Sequence, residues 1–113
     1  MAKSNKPIVW SLFAAGGTLA AFLAPVLVLL FLLAALGHPP DVLGYAQLHE
    51  FAAHWLGKVF LLAVITLFLW HAAHRLRVTL HDFGLRQDPV VAVLVYLAAA
   101  AGTALSMWYL LRI

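Results

Sequence analysis

Three long apolar stretches of the chain alternate with two short polar ones. Residues 9–36, 55–76 and 89–111 are rich in Leu, Val, Ala and Phe and carry few charged side chains. At about 1.5 Å per residue, each stretch can cross a hydrocarbon core of about 30 Å as an α-helix. The pattern predicts an all-α membrane protein with three transmembrane helices in a single domain, residues 1–113.

Local features refine these helices. Pro25 lies inside the first stretch and predicts a kink there, because it lacks an N–H donor. Small residues at 14–17 would let a second helix approach closely. Pro89 favours the first turn of the third helix, with Asp88 as its N-cap. Residues 75–88 are therefore expected to form a polar connection.

Composition agrees with a membrane protein and excludes other classes. Hydrophobic residues make up 65% of the chain and charged residues 10%, whereas soluble domains carry about 25% charged residues. The chain has no cysteine, which excludes disulfides, thiolate metal sites and a cysteine nucleophile. The net charge of +3 does not indicate nucleic-acid binding, because the basic residues lie at the ends of apolar stretches, next to the lipid bilayer.

Lys and Arg residues are distributed unevenly between the two ends of the predicted helices. Cytoplasmic loops of membrane proteins carry an excess of these residues. The richer side holds Lys3, Lys6, Arg75, Arg77 and Arg86, and the other side holds Lys58 and Arg112. This predicts a cytoplasmic amino terminus and a carboxyl terminus on the outside.

The end of the second apolar stretch concentrates the candidate chemistry. Antiparallel helices place the start of the first helix at the depth of this end, so Trp10 and Arg75 are expected at one level, with His74 beside Arg75. An indole N–H and a guanidinium are pure hydrogen-bond donors. Two such donors suit an apolar ligand with carbonyl acceptors, such as a quinone. Each residue alone also fits a simpler role at the membrane interface.

Two alternatives to a quinone site stay open. One is a haem-b anchor, because His71, His74 and His81 share one broad helical face and a b-type haem needs an axial imidazole. The other is a structural or assembly protein without a ligand, in which these histidines bond to carbonyls or to a partner chain. A proton-coupled transporter is disfavoured because no acidic residue lies in the middle of a span.

Five segments, in chain order, carry a family resemblance. They are residues 7–17 (PIVWSLFAAGG), 24–26 (APV), 56–60 (LGKVF), 74–76 (HRL) and 81–82 (HD). Together they resemble the D subunit of bacterial quinol:fumarate reductase, in its helix-one entry, its mid-helix proline, its step into helix two and its His-Arg and His-Asp pairs. The resemblance covers nearly the whole chain.

The resemblance implies a non-catalytic membrane anchor. In that family, the C and D subunits together hold a flavoprotein and an iron–sulfur subunit at the cytoplasmic face of the inner membrane. Menaquinol is oxidised at the cytoplasmic end of the anchor, and its electrons reach the flavin that reduces fumarate through the iron–sulfur clusters. The family's quinone-site tryptophan and arginine match Trp10 and Arg75, and His74 is a further candidate. FAD, the clusters and the proton-handling acid belong to partner subunits, and no haem is implied.

Overall fold

The computed structural model describes residues 6–113, and this part of the chain is all-helical. Its helices are α1 (Lys6–Ala35), α2 (Tyr45–Ala53), α3 (Trp55–Asp82) and α4 (Asp88–Arg112), with a 3₁₀ turn at Asp41–Leu43. Three of them, α1, α3 and α4, are long and apolar enough to cross a membrane. The predicted fold class with three spans is therefore confirmed. Lys3, one of the residues on which the predicted orientation depends, lies outside the described residues, and the orientation of the termini stays a prediction.

The second long helix extends further than the sequence suggested. α3 continues to Asp82, well beyond the expected end at residue 76, and most of the expected polar connection at 75–88 is helical. Arg, Leu and His are acceptable helix residues in water. The fall in hydropathy after residue 76 marks the edge of the apolar span, and it does not mark the end of the helix.

A glycine decides where α3 ends. Gly84 adopts φ of 97°, a left-handed conformation that costs glycine little. The N–H of Leu85 donates to the carbonyl of Leu80 at 3.1 Å, which is the six-to-one bond of a Schellman cap. α1 is capped in the same way around Gly37, with φ of 85°.

The predicted N-cap of the last span is wrong. Gln87 occupies the cap position of α4 without a side-chain cap bond, and Asp88 is the first helical residue, next to Pro89. The carboxylate of Asp88 instead binds Arg77 of α3. This ion pair joins the two helices across the short connection at residues 83–87.

α3 packs against both other spans. Towards α1 the contact depends on two glycines. A Cβ added to Gly16 would lie 2.6 Å from the carbonyl oxygen of Leu67 and 2.8 Å from Cβ of His71. A Cβ on Gly17 would lie 2.9 Å from Cε1 of the same histidine. The helices therefore approach closely where the small residues at 14–17 predicted that they could.

Towards α4 the contact is a small apolar core. Ala73 of α3 and Val95 and Ala99 of α4 are buried. Most other apolar side chains of the spans are exposed in the single chain; Phe22, for example, is 75% exposed. This surface suits lipid and further protein subunits, because neither requires polar side chains.

Candidate functional site

His71 of α3 contacts α1 near one end of the bundle. Its Nδ1–H donates to the carbonyl oxygen of Phe13 at 3.0 Å. Its ring stacks on the Phe13 ring, with centroids 4.4 Å apart and an interplanar angle of 12°. A polar side chain inside the apolar span is thereby satisfied, and Phe13 and His71 are fixed at the same depth.

A cavity of about 370 Å³ opens next to this contact, between the three spans. Its walls are contributed by Val9, Leu12 and Phe13 of α1, by Trp70, His74 and Arg77 of α3, and by Tyr96 of α4. The ring of His74 lies 4.6 Å from the Phe13 ring, centroid to centroid. Trp70 stacks on Tyr96 at 5.7 Å. The cavity thus has aromatic walls and a few polar groups, the usual make-up of a small-molecule site.

The polar groups of this cavity form one connected network. Nδ1 of His74 lies 3.1 Å from the hydroxyl oxygen of Tyr96. Arg77 donates from Nη1 to the same hydroxyl oxygen at 3.4 Å. Arg77 also donates to both carboxylate oxygens of Asp88, from Nε at 2.9 Å and from Nη2 at 2.5 Å. The network therefore runs from the cavity wall to the first residue of α4.

A second, more open cavity of about 410 Å³ lies on the other side of this network. It is lined by His74, Arg77, Val78, His81 and Asp88. His74 and Arg77 line both cavities. They form the boundary between a cavity with aromatic walls and a cavity at the end of α3 whose other lining residues include His81 and Asp88.

Comparison with known proteins identifies the family. The family model for the D subunit of fumarate reductase matches residues 1–111. The fumarate reductase D subunit of Mycobacterium bovis is 40% identical over 112 residues, covering 96% of this chain and 89% of the relative. Those of Shewanella sp. and Aliivibrio fischeri are 36% and 34% identical, each over 98% of this chain and over 93% and 94% of the relative.

The chain belongs to the family of fumarate reductase D subunits. The resemblance found in the sequence is thereby confirmed. Together with three apolar spans, membership makes this protein a multi-pass membrane anchor of fumarate reductase in the bacterial inner membrane.

The three site residues predicted for this fumarate reductase anchor lie in different surroundings. His74 is half-buried and lines the cavity. Trp10 is 67% exposed and Arg75 is exposed, and neither lines that cavity. Among the described residues, neither has a side-chain hydrogen bond. The anchor by itself therefore does not bring the three into contact.

Trp10 and Arg75 nevertheless lie at one level of the bundle, as expected from the antiparallel order of the helices. The His71–Phe13 hydrogen bond sets the register of the antiparallel helices α1 and α3. Arg75 lies one turn beyond His71, and Trp10 lies about one turn before Phe13, in each case towards the same end of the bundle. Both side chains are thus exposed at the level of the cavity.

Several residues of the cavity, above all Tyr96, were not predicted from the sequence. A signal existed, since Tyr96 is the one hydroxyl-bearing side chain in the apolar run from 90 to 102. A buried tyrosine hydroxyl usually has a hydrogen-bond partner. From its place in the sequence, Arg77 is expected to face the lipid headgroups or the iron–sulfur subunit. Its contacts are instead within the chain, with Asp88 and Tyr96.

Proposed function

We propose that this anchor forms one wall of a menaquinone site in a quinol:fumarate reductase. Trp10, Arg75 and His74 form this wall, and the other subunits of the complex complete the site. The proposed partners are a second anchor (the C subunit), an iron–sulfur subunit and a flavoprotein that carries FAD.

The observation that carries the proposal is the aromatic cavity with His74 in its wall. A quinone has a flat apolar ring with two carbonyl acceptors and a long apolar tail. Phe13, Trp70 and Tyr96 supply apolar faces for such a ring, and His74 supplies a polar ring nitrogen beside them. The volume of about 370 Å³ falls within the range of about 300–1,000 Å³ for ligand pockets. The residues present therefore fit the group.

Trp10 and Arg75 extend the wall towards a partner protein. Both are donors with no acceptor capacity. Among the described residues neither side chain has a partner, so both remain able to donate to a ligand at the boundary of the anchor. Arg77 is closer to the cavity, but its guanidinium is already held by Asp88. Arg75 is therefore the cation that we assign to a quinone carbonyl.

Bound menaquinol would supply two electrons and two protons. The residues of this chain would bind and orient the headgroup, and they carry no redox group themselves. The electrons would pass to the iron–sulfur subunit and then to the flavin, where fumarate is reduced. Proton removal is assigned to an acidic residue of the second anchor.

Trp10→Phe tests the donor role of the indole. The variant keeps an apolar aromatic wall and removes one N–H, which is worth about 0.5–1.5 kcal/mol and corresponds to about a two- to tenfold rise in KM for menaquinol. Fumarate reduction with a viologen donor should stay unchanged. Trp55→Phe, at the start of α3, is the matched control, because Trp55 is 66% exposed at the other end of that helix. A wild-type KM for menaquinol in Trp10→Phe would show that Trp10 is not part of the site.

An absorption spectrum tests the membership in a complex. The tagged chain, purified in mild detergent from its own host, should carry flavin and iron–sulfur absorbance without sharp haem bands after reduction with dithionite. Sharp bands that grow on reduction would support the haem alternative with His71 or His74. A featureless spectrum from a pure preparation would contradict the anchor function and favour a structural protein.

A further inference from the structure

We infer that Tyr96, held by the Arg77–Asp88 ion pair, sets the tautomer of His74, so that His74 presents an Nε2–H donor to the bound headgroup. The inference rests on the proposed quinone function. It goes beyond that function by assigning positioning roles to residues on two helices and by naming the ring nitrogen that meets the ligand.

Arg77 is immobilised by Asp88. Its guanidinium binds both oxygens of Asp88 in the bidentate geometry that gives strong, directional pairs. The two side chains are 33% and 37% exposed, so each is partly shielded from water. The guanidinium carbon also lies 5.8 Å from the centroid of the Tyr96 ring. Arg77 is therefore fixed against Tyr96 by α4 itself.

The hydroxyl of Tyr96 lies between Arg77 and His74. A guanidinium has no acceptor, so the contact from Arg77 uses a lone pair of the Tyr96 oxygen. The hydroxyl hydrogen then needs a different acceptor. Among the described residues, the hydrogen-bonding atom that remains within reach is Nδ1 of His74, at 3.1 Å. The Tyr96 hydroxyl therefore donates to His74.

The bond from Tyr96 decides which ring nitrogen of His74 carries the hydrogen. A neutral histidine has one N–H and one bare nitrogen, and the partner of one nitrogen decides the state of the other. Because Nδ1 accepts from Tyr96, Nε2 carries the hydrogen. The opposite tautomer would give the Tyr96 oxygen two donors and leave its own hydrogen without an acceptor. The network thus selects one tautomer.

This tautomer suits the cavity. His74 lies in the wall beside apolar side chains such as Leu12 and Phe13, and an N–H among such groups is costly unless it finds an acceptor. The oxygen of a quinone or quinol headgroup is such an acceptor. Tyr96, Arg77 and Asp88 act on the ligand only through His74, and they are positioning residues.

Tyr96→Phe tests the inference, because it removes the hydroxyl and keeps the ring that stacks on Trp70. In the assembled complex, KM for a short-chain menaquinol analogue should rise about three- to tenfold, the effect of one lost hydrogen bond. The kcat for its oxidation should change less than twofold, because the interaction is made with the bound ligand in all states. Fumarate reduction with a viologen donor reports assembly. Tyr109→Phe is the matched control, since Tyr109 lies near the other end of α4 and is 63% exposed.

The ion pair gives a second, independent measurement. Asp88→Asn should raise the same KM, less than Tyr96→Phe does, whereas Asp88→Glu should keep it near the wild-type value because the carboxylate is retained. The double variant Tyr96→Phe/Asp88→Asn should be no worse than Tyr96→Phe alone, since groups in one network are not additive. A merely structural role would instead lower the amount of assembled complex, and with it fumarate reduction with the viologen donor, without raising KM selectively.

A wild-type KM in Tyr96→Phe, or additive effects of the two changes, would overturn the inference. If Tyr96→Phe fails to assemble, the Asp88 pair decides, and a wild-type KM in both Asp88 variants would overturn it. Failure of the proposed function has a different signature, which is normal quinol oxidation in Arg75→Leu. A defect in Arg75→Leu with a normal Tyr96→Phe would reject the network alone.

Discussion

Arg75→Leu is expected to lower kcat/KM for menaquinol about ten- to a hundredfold while fumarate reduction with a viologen donor stays intact. The reason is the loss of a charge-assisted hydrogen bond to a headgroup oxygen, worth about 1.5–3 kcal/mol. Leucine keeps an apolar side chain of moderate size at an exposed position, so the fold of the anchor is not disturbed. Both activities are measured on the same membranes, before and after detergent extraction.

The two electron donors report on different parts of the complex. The viologen delivers electrons without the quinone site, and its activity therefore reports the assembled flavoprotein and iron–sulfur subunits. Arg112→Leu is the matched control, because it removes the same charge at the opposite end of the bundle. Arg112 ends α4, and its guanidinium carbon lies 4.5 Å from the centroid of the Trp108 ring. Equal loss of both activities in Arg75→Leu would show that Arg75 is needed for assembly and not for quinol oxidation.

Gly16→Val is expected to reduce the amount of folded anchor in the membrane several-fold. Even a Cβ at this position would lie 2.6 Å from a backbone oxygen of α3, and backbone cannot rotate away as a side chain can. Overpacking of this kind costs about 1–3 kcal/mol or more. The displacement would also break the His71–Phe13 hydrogen bond. Changes of this size alter protein abundance several-fold.

Ala15→Val is the control for this prediction. It places the same valine side chain at the preceding position of α1, where the residue is exposed and does not face α3. The amount of the anchor is compared by quantitative immunoblotting of membranes, together with the yield of the intact complex. Equal amounts in the two variants would mean that the close approach of α1 and α3 is not needed for folding. Valine is a better helix former than glycine, so helix propensity does not explain a loss at Gly16.

Much of the fold could be predicted because a membrane restricts it so strongly. Every backbone polar group in the hydrocarbon must bond within its own segment, so an apolar stretch of sufficient length becomes a helix. The spans, their order and their small-residue contacts followed from this constraint. The end of α3 did not, because beyond the hydrocarbon a helix ends at its cap, here Gly84, and not where hydropathy falls.

The candidate site was likewise only partly predictable from the sequence. Trp10, Arg75 and His74 are predicted from the sequence because the topology places the start of the first helix beside the end of the second, and of these His74 lines the cavity. Tyr96 and Asp88 could not be joined to them, because they lie on the third helix, and the rotation of that helix about its axis is decided by side-chain packing. The stacking of Trp70 on Tyr96 and the bond from Arg77 to Asp88 record that rotation.

By itself, the sequence determined that this is a three-span membrane protein of the fumarate reductase anchor family with donors at one end of its bundle. The hydropathy of a segment depends on its own residues and can be assessed without knowing which other helices lie beside it. Only the tertiary structure decided which donors are engaged. Arg77 is neutralised by Asp88, and His74 is joined to Tyr96, whereas Arg75 and Trp10 stay exposed. The physical reason is that a hydrogen bond between helices forms or is lost over differences in distance of a few tenths of an ångström. Close packing of the helices sets these distances.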